Sequence, residues 1–263
     1  MTRTIWTGYI SFGLVNIPIK LFSATSERNI NFDLLHEEDL SPIRYAKMCK
    51  AEGKEVPYDQ IVRGFEYEKD RYVVMSAEEI EKANIGVTKA ITITDFVQKE
   101  EIDPAYYEKP YYLEADKGGE KPYLLLHQAL ARSGKVGIGR YVLRNREHLI
   151  MLVPDADILV LNQLRFPEEI KDKSIVKMIS GISIAEGEIE MALTLINELT
   201  GHFQPEKYHD TYNQELRRVI DEKISGKVPA VKGTAPQATQ VPDLMKILKE
   251  SLERERKKKV GTR

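Results

Sequence analysis

The chain has 263 residues, 42% hydrophobic and 30% charged, the composition of an ordinary globular protein with length to spare for a buried core, which excludes a disordered polypeptide. The formal net charge of −2 argues against a wholly basic nucleic-acid binder, yet it hides a division. From Lys223 to Arg263 eleven Lys/Arg face four Asp/Glu, a net +7 that leaves −9 on residues 1–222.

Within that acidic body the stretch from Glu120 to His148 runs the other way, with Lys121, Arg132, Lys135, Arg140, Arg144 and Arg146 against Glu120 and Glu147. Screening confines a charge to about 10 Å, so local sign matters more than the total. Cys49 is the single cysteine and has no internal disulfide partner. With no apolar run of eighteen and no signal pattern at Arg3-Thr4-Ile5-Trp6, no membrane association is expected and a cytoplasmic location is.

The first part of the chain reads as strands. Val15, Ile17, Ile19 and Leu21 alternate with Asn16, Pro18, Lys20 and Phe22, the two-residue period of a strand with one buried face. Pro18 predicts an edge or a bulge. Ile30, Phe32 and Leu34 repeat the alternation, and residues 65–75 predict a hairpin folded about Lys69-Asp70. Further strands follow around Ile91, Ile93 and Val97, around Tyr111 and Leu113, and at 135–144, 149–153 and 158–165. Many short strands separated by turns predict a barrel or a sandwich. Two helices interrupt them: one opens on the capping box Ser76-Ala77-Glu78-Glu79, the other starts at Pro122, carries Tyr123, Leu126 and Leu130 on one face and stops at Gly134.

After Pro167 the period becomes helical. Ser183-Ile184-Ala185-Glu186 is a second capping box, opening a stripe of Ile189, Leu193 and Ile196 that ends at Gly201. Tyr212, Leu216, Val219 and Ile220 mark the next helix, closed near Gly226. The predicted class is α+β, with residues 1–166 mainly β, 167–225 a helical arm, 226–240 a flexible linker and 241–263 a last helix with a basic tail. The linker is rich in Gly, Pro, Ala, Thr and Gln, and as a random coil spans roughly 20 Å. The last helix carries Leu244, Ile247, Leu248 and Leu252 on one side, an amphipathic element on a tether that calls for a partner.

Catalytic chemistry finds little support. His36, His127, His148, His202 and His209 have no metal-ligand spacing, and Cys49 lacks the second cysteine of a knuckle where Glu52 stands. No phosphate-cradling glycine loop is present, and Gly137-Ile138-Gly139 sits inside a strand pattern. The acidic runs Glu37-Glu38-Asp39, Glu78-Glu79 and Asp155-Ala156-Asp157 read as loop, helix first turn and interstrand turn rather than as a magnesium site. No catalytic residue, metal or cofactor is expected.

The run from Ile5-Trp6-Thr7-Gly8-Tyr9 through Ile17-Pro18-Ile19-Lys20-Leu21 closely resembles the opening strands of bacterial Ku proteins. The resemblance continues in Ile61-Val62-Arg63-Gly64-Phe65, in Glu101-Ile102-Asp103-Pro104, in Leu143-Arg144-Asn145-Arg146 and in Phe203-Gln204-Pro205-Glu206-Lys207-Tyr208, so that it spans nearly the whole chain. It implies a β-barrel whose extended arms close a ring around double-stranded DNA ends in a homodimer. It also implies a helical C-terminal arm that embraces the other subunit, and a tethered helix that recruits an ATP-dependent end-joining ligase in non-homologous end joining. A nucleoid-associated location follows. Many such proteins carry a Cys-x-x-Cys pair where this chain has Cys49-Lys50-Ala51-Glu52, so the local turn is expected to survive without that pair.

A ring holds DNA topologically, with Lys and Arg on phosphates and no sequence reading. The first candidates are Arg140 and Arg144, on one face of the strand from Lys135 to Asn145 with Val136, Ile138 and Val142, and Arg146 in the turn after it. Gly137 and Gly139 lie on the opposite face, open to close approach by another backbone or by DNA. Arg28, Arg44, Lys47 and Lys109 are further candidates in the arm and the interstrand loops, and Trp6 is read as core rather than as a stacking platform. Leu244, Ile247, Leu248 and Leu252 are the candidate ligase contacts. Two other readings compete: a protein-interaction barrel with no preference for DNA ends, and a metal-dependent nuclease.

Overall fold

The computed structural model describes residues 3–82, 89–227 and 244–261. They form two compact units that divide between residues 175 and 176. The first begins with β1 (Trp6–Phe12) and β2 (Val15–Ser23), joined by a two-residue turn whose Gly13 supplies the left-handed φ of +59°. β3 (Arg63–Glu68) and β4 (Arg71–Met75) pair only with each other, folding about Lys69-Asp70 as expected. α1 (Ala77–Lys82) opens on the expected capping box, in which the Glu79 N–H donates to Ser76 Oγ and the Ser76 N–H donates to the Glu79 carboxylate. Then come β5 (Ala90–Gln98), β6 (Tyr107–Ala115), α2 (Glu120–Ser133), β7 (Lys135–Leu143), β8 (Arg146–Asp155) and β9 (Ile158–Leu164).

Seven strands close into a barrel in the order β1-β2-β6-β9-β8-β7-β5, with β5 returning parallel to β1 and the other neighbours antiparallel. Alternation fills the closed barrel: Ile10, Ile17, Ile19, Leu21, Ile91, Leu113, Ile150, Leu152, Leu159 and Leu161 all point inward and are sealed from solvent. α2 adds Tyr123, Leu126 and Leu130 to this core and ends at Gly134, φ +66°, where the sequence predicted its stop. The Tyr123 hydroxyl donates to Leu113 O and accepts from Leu159 N, both at 2.7 Å, joining two residues that are register partners of β6 and β9. Trp6 packs against the core and meets Tyr141 edge-on at 5.9 Å, so it is a core residue.

The outer face of β7, β8 and β9 has its own apolar layer. Val136, Met151 and Leu164 are buried there beneath Ile102, Tyr106 and Tyr107 of the segment that leads into β6. A turn at Pro104–Tyr106, capped by the Asp103 carboxylate on the Ala105 N–H, holds that cover in place.

Several expectations need correction. Pro18 is neither on an edge strand nor at a bulge: β2 lies between β1 and β6, and Pro18 stands one residue beyond the last β2–β6 pair, Ile19–Ala115, where its carbonyl accepts from Asp116 N and its missing N–H leaves no donor unpaired. Ile30, Phe32 and Leu34 form no strand, because no neighbouring strand is there to take their hydrogen bonds, and only an isolated bridge joins Leu35 to Pro42. From Ala24 to Ile80 no residue is buried. The turn at Cys49 survives with one cysteine: Cys49 N donates to Lys54 O and Gly53 N to Cys49 O, while Gly53 takes φ +66°.

The second unit holds α3 (Glu186–Leu199), α4 (Thr211–Ile224) and α5 (Leu244–Gly261), with α3 packed against α5. The predicted capping box at Ser183 is not the one used. The helix begins two residues further on, and Glu188 reaches back to accept from Ala185 N. Met191 and Leu195 of α3 are half-buried, whereas the Ile189, Leu193 and Ile196 stripe stays exposed. Asp210 caps α4 through the Asn213 N–H. Linker residues 228–240 lie outside the described residues.

Candidate nucleic-acid interface

The basic segment singled out in the sequence is the β7–β8 hairpin. Its register, Leu143 opposite Arg146, leaves Arg144-Asn145 as a two-residue turn. Both take positive φ, +50° and +62°, the conformation of a type I′ turn that Asn-Gly fills most easily. Arg144 therefore sits in a left-handed conformation unusual for its residue type. Arg146 is not in the turn, as the sequence had suggested, but opens β8.

Alternation sorts the cations. Arg140 shares the outer face with Val136 and Ile138, as predicted, and reaches Glu147 at 3.5 Å; Arg144, expected on the same face, is instead in the turn and lines the cleft at the barrel mouth. Gly137 and Gly139 face inward, and the neighbour that approaches them is β5: a Cβ on Gly139 would stand 2.2 Å from the Thr92 carbonyl oxygen. The bulge between Ile93 and Asp95 lies beside this contact. Lys135 is at the far end of β7, roughly 30 Å along the strand from Arg144 at ~3.4 Å per residue, and does not join the cluster.

At the end of the barrel away from α2, the lumen opens into a cleft of about 290 Å³ lined by Ile5, Lys109, Tyr111, Leu143, Arg144, Arg146, His148 and Gln163. Lys109 thus belongs to β6 at the barrel mouth rather than to a loop, and its Nζ lies 5.9 Å from the centre of the Tyr111 ring. Arg146 is held by Glu169 at 2.8 Å, and the Phe166 N–H, followed by Arg146, keeps the Glu169 carboxyl below its ordinary range. Among the described residues neither Lys109 nor Arg144 has a carboxylate within ion-pair distance. Burial, and after it the Arg146 charge, lowers the pKa of His148, so at neutral pH its ring is uncharged. The buried Gln163 donates to Glu108 at 2.9 Å, and Glu108 lies 3.9 Å from Arg165. Beneath the cleft the buried Tyr141 hydroxyl has no hydrogen bond of good geometry, although Tyr111 stands beside it.

The arm candidates are separate from this mouth. Arg28 is exposed in an irregular stretch, Arg44 approaches Glu55 at 4.0 Å, and Lys47 lies over the Tyr58 ring at 4.6 Å. His148, Gln163 and Tyr111 were not among the DNA-contact candidates of the sequence; only closure of the barrel brings these inward positions of three strands to one end. On α5, Leu248 and Leu252 are half-buried and Ile247 is exposed, while the side chain of Leu244 lies outside the described residues. Among the described residues no three His, Cys, Asp or Glu are grouped to hold a metal ion, and no helix is long and apolar enough to cross a membrane.

A family model described as the Ku70/Ku80 beta-barrel domain matches residues 11–191. Three similar proteins, each named "Non-homologous end joining protein Ku", extend the match over the chain. The protein from Opitutus terrae is 41% identical over 257 residues, covering 95% of this chain and 91% of its own. The one from Koribacter versatilis is 39% identical over 263 residues, covering 100% and 90%. The one from Bacillus subtilis is 40% identical over 258 residues, covering 97% and 83%. With the family model matching residues 11–191, which take in all but the start of β1 in the closed barrel, and relatives about 40% identical over 95% or more of the chain, the chain belongs to the Ku family.

Proposed function

We propose that this chain binds the ends of double-stranded DNA, whatever their sequence, as a ring-shaped homodimer, and that it recruits an ATP-dependent DNA ligase in non-homologous end joining. The relatives' shared name supports the pathway. The observation that carries the ring is the arm from Ala24 to Ile80. It contains the turns closed by the Leu35–Pro42 and Met48–Glu55 bridges and the β3–β4 hairpin, yet leaves no residue fully buried and exposes Phe32, Leu34, Ile43, Tyr45, Val62 and Phe65. A lone hairpin is marginal in water, and so large an apolar surface marks a binding face, here for the second copy and the duplex between them.

Phosphate contacts, along the duplex or at its terminus, fall to Arg140, Arg144, Arg146 and Lys109 on the barrel, with Lys135 further along β7 and Arg28, Arg44 and Lys47 on the arm. These groups read charge and not bases. The chain acts as a scaffold, and bond making belongs to the ligase, which α5 contacts through Ile247, Leu248, Leu252 and Leu244.

The test is topological. The full chain is loaded on a linear duplex, the ends are sealed, and the circle is washed in high salt. Retention is expected, whereas loading on closed circles as readily as on linear DNA, or a monomer by sedimentation, sinks the ring. With six to ten phosphate contacts, affinity for ends falls about 10³ to 10⁵ between 50 and 200 mM salt before sealing.

A further inference from the structure

We infer that the barrel mouth is a pocket for a projecting phosphate group, a phosphate terminus or a short phosphate chain, rather than one more contact to the side of a duplex. Three observations carry this. The first is shape: the lining residues enclose about 290 Å³ at the end of a closed barrel. That concavity admits a phosphate chain, whereas the wall of a double helix is too broad to enter it. The second is charge. Lys109, Arg144 and Arg146 converge there, and among the described residues Glu169 alone is ion-paired with any of the three, on Arg146. Two cations are thus free to meet a dianion, and the guanidinium of Arg144 offers the bidentate geometry that phosphate favours.

The third observation is the backbone beneath Arg144. A non-glycine residue in the left-handed region is a conformational burden, and such residues gather at binding sites where the side chain is what the position needs. Asparagine or glycine would relieve the turn, but neither would place a guanidinium at the rim. His148 and Tyr111 complete the wall as neutral hydrogen-bonding groups.

The inference refines the end-binding reading at this one site, and its test is separable from that of the ring. Inorganic triphosphate is titrated calorimetrically into the full chain. Saturable binding at one site per chain is expected. The double variant Lys109→Gln with Arg144→Asn should bind at least about tenfold more weakly, since it removes two charge-assisted contacts while asparagine keeps the positive φ. The control Lys117→Gln, an exposed cation at the α2 end of the barrel, should bind as the wild type does.

Competition then separates the sources of the phosphate. Displacement of triphosphate by a duplex with 5′-phosphates, but not by the same duplex with 5′-hydroxyls, assigns the pocket to DNA termini. Displacement by neither assigns it to a free phosphate chain. No saturable binding, equal affinity in the double variant, or equal displacement by both duplexes overturns the inference. Failure of trapping on sealed circles would bear on the ring alone and leave the triphosphate result standing.

Discussion

Tyr123→Phe isolates one hydroxyl that holds the barrel to its helical plug. The ring stays in the core, so packing is unchanged, but Leu113 O loses its donor and Leu159 N loses its acceptor, both at 2.7 Å. A buried backbone group left without a partner costs about 1–3 kcal/mol, so the two together give about 2–6 kcal/mol, a large part of the ~5–15 kcal/mol that stabilises a typical domain. The midpoint of thermal unfolding should fall by on the order of 10 °C. Urea unfolding followed by circular dichroism measures the free energy, and hydrogen exchange at the Leu159 amide locates it. Because Leu113 and Leu159 are register partners, the strands could instead zip together and satisfy each other directly. A stability change under ~0.5 kcal/mol, with Leu159 still protected, would refute the wedge argument.

Other perturbations follow from the same geometry. Gly139→Ala places a methyl group 2.2 Å from the Thr92 carbonyl oxygen, a backbone atom fixed in the β5–β7 ladder, and should destabilise the barrel by about 3 kcal/mol in the same unfolding assay. Replacing Arg140, Arg144 and Arg146 together by Glu should abolish binding to linear duplex in an anisotropy titration while sedimentation still reports the dimer; unchanged affinity would remove these residues from the interface. Deleting residues 241–263 should leave end binding intact and remove stimulation of the ligase, and persisting stimulation would rule α5 out as the docking element. For His148 the folded-state pKa lies below its ordinary value, because of burial first and Arg146 second. The unfolded chain therefore takes up the proton more readily, and stability should decline as pH falls through about 6.5. Comparing unfolding midpoints at about pH 7.5 and 5.5, a window above the carboxylate range, should give a smaller drop in His148→Gln than in the wild type.

Much of this architecture is written locally. The alternation at Val15–Leu21, the hairpin about Lys69-Asp70, the capping box at Ser76 and the stop at Gly134 each depend on neighbours within a few residues, and each recurs in the fold. Local signals misled where a partner decided the outcome. Ile30, Phe32 and Leu34 alternate like a strand but have no sheet to join, and Pro18 sits inside a sheet because one rung ends beside it. Ser183 has the spacing of a cap, yet the helix starts later because Glu188 caps it at Ala185.

The candidate site divides in the same way. By itself the sequence determined that a basic strand follows α2, that Arg140 shares a face with Val136 and Ile138, and that family membership runs the length of the chain. Only the tertiary structure decided that Lys109 of β6 stands with Arg144 and Arg146 at one mouth, with His148 and Gln163 in its wall, and that Lys135 is left at the other end of its strand. The reason is closure. Strand parity is a local property and can be read from alternation, but which ends of which strands share an opening depends on register around the whole barrel, a long-range relation that no short stretch of residues encodes.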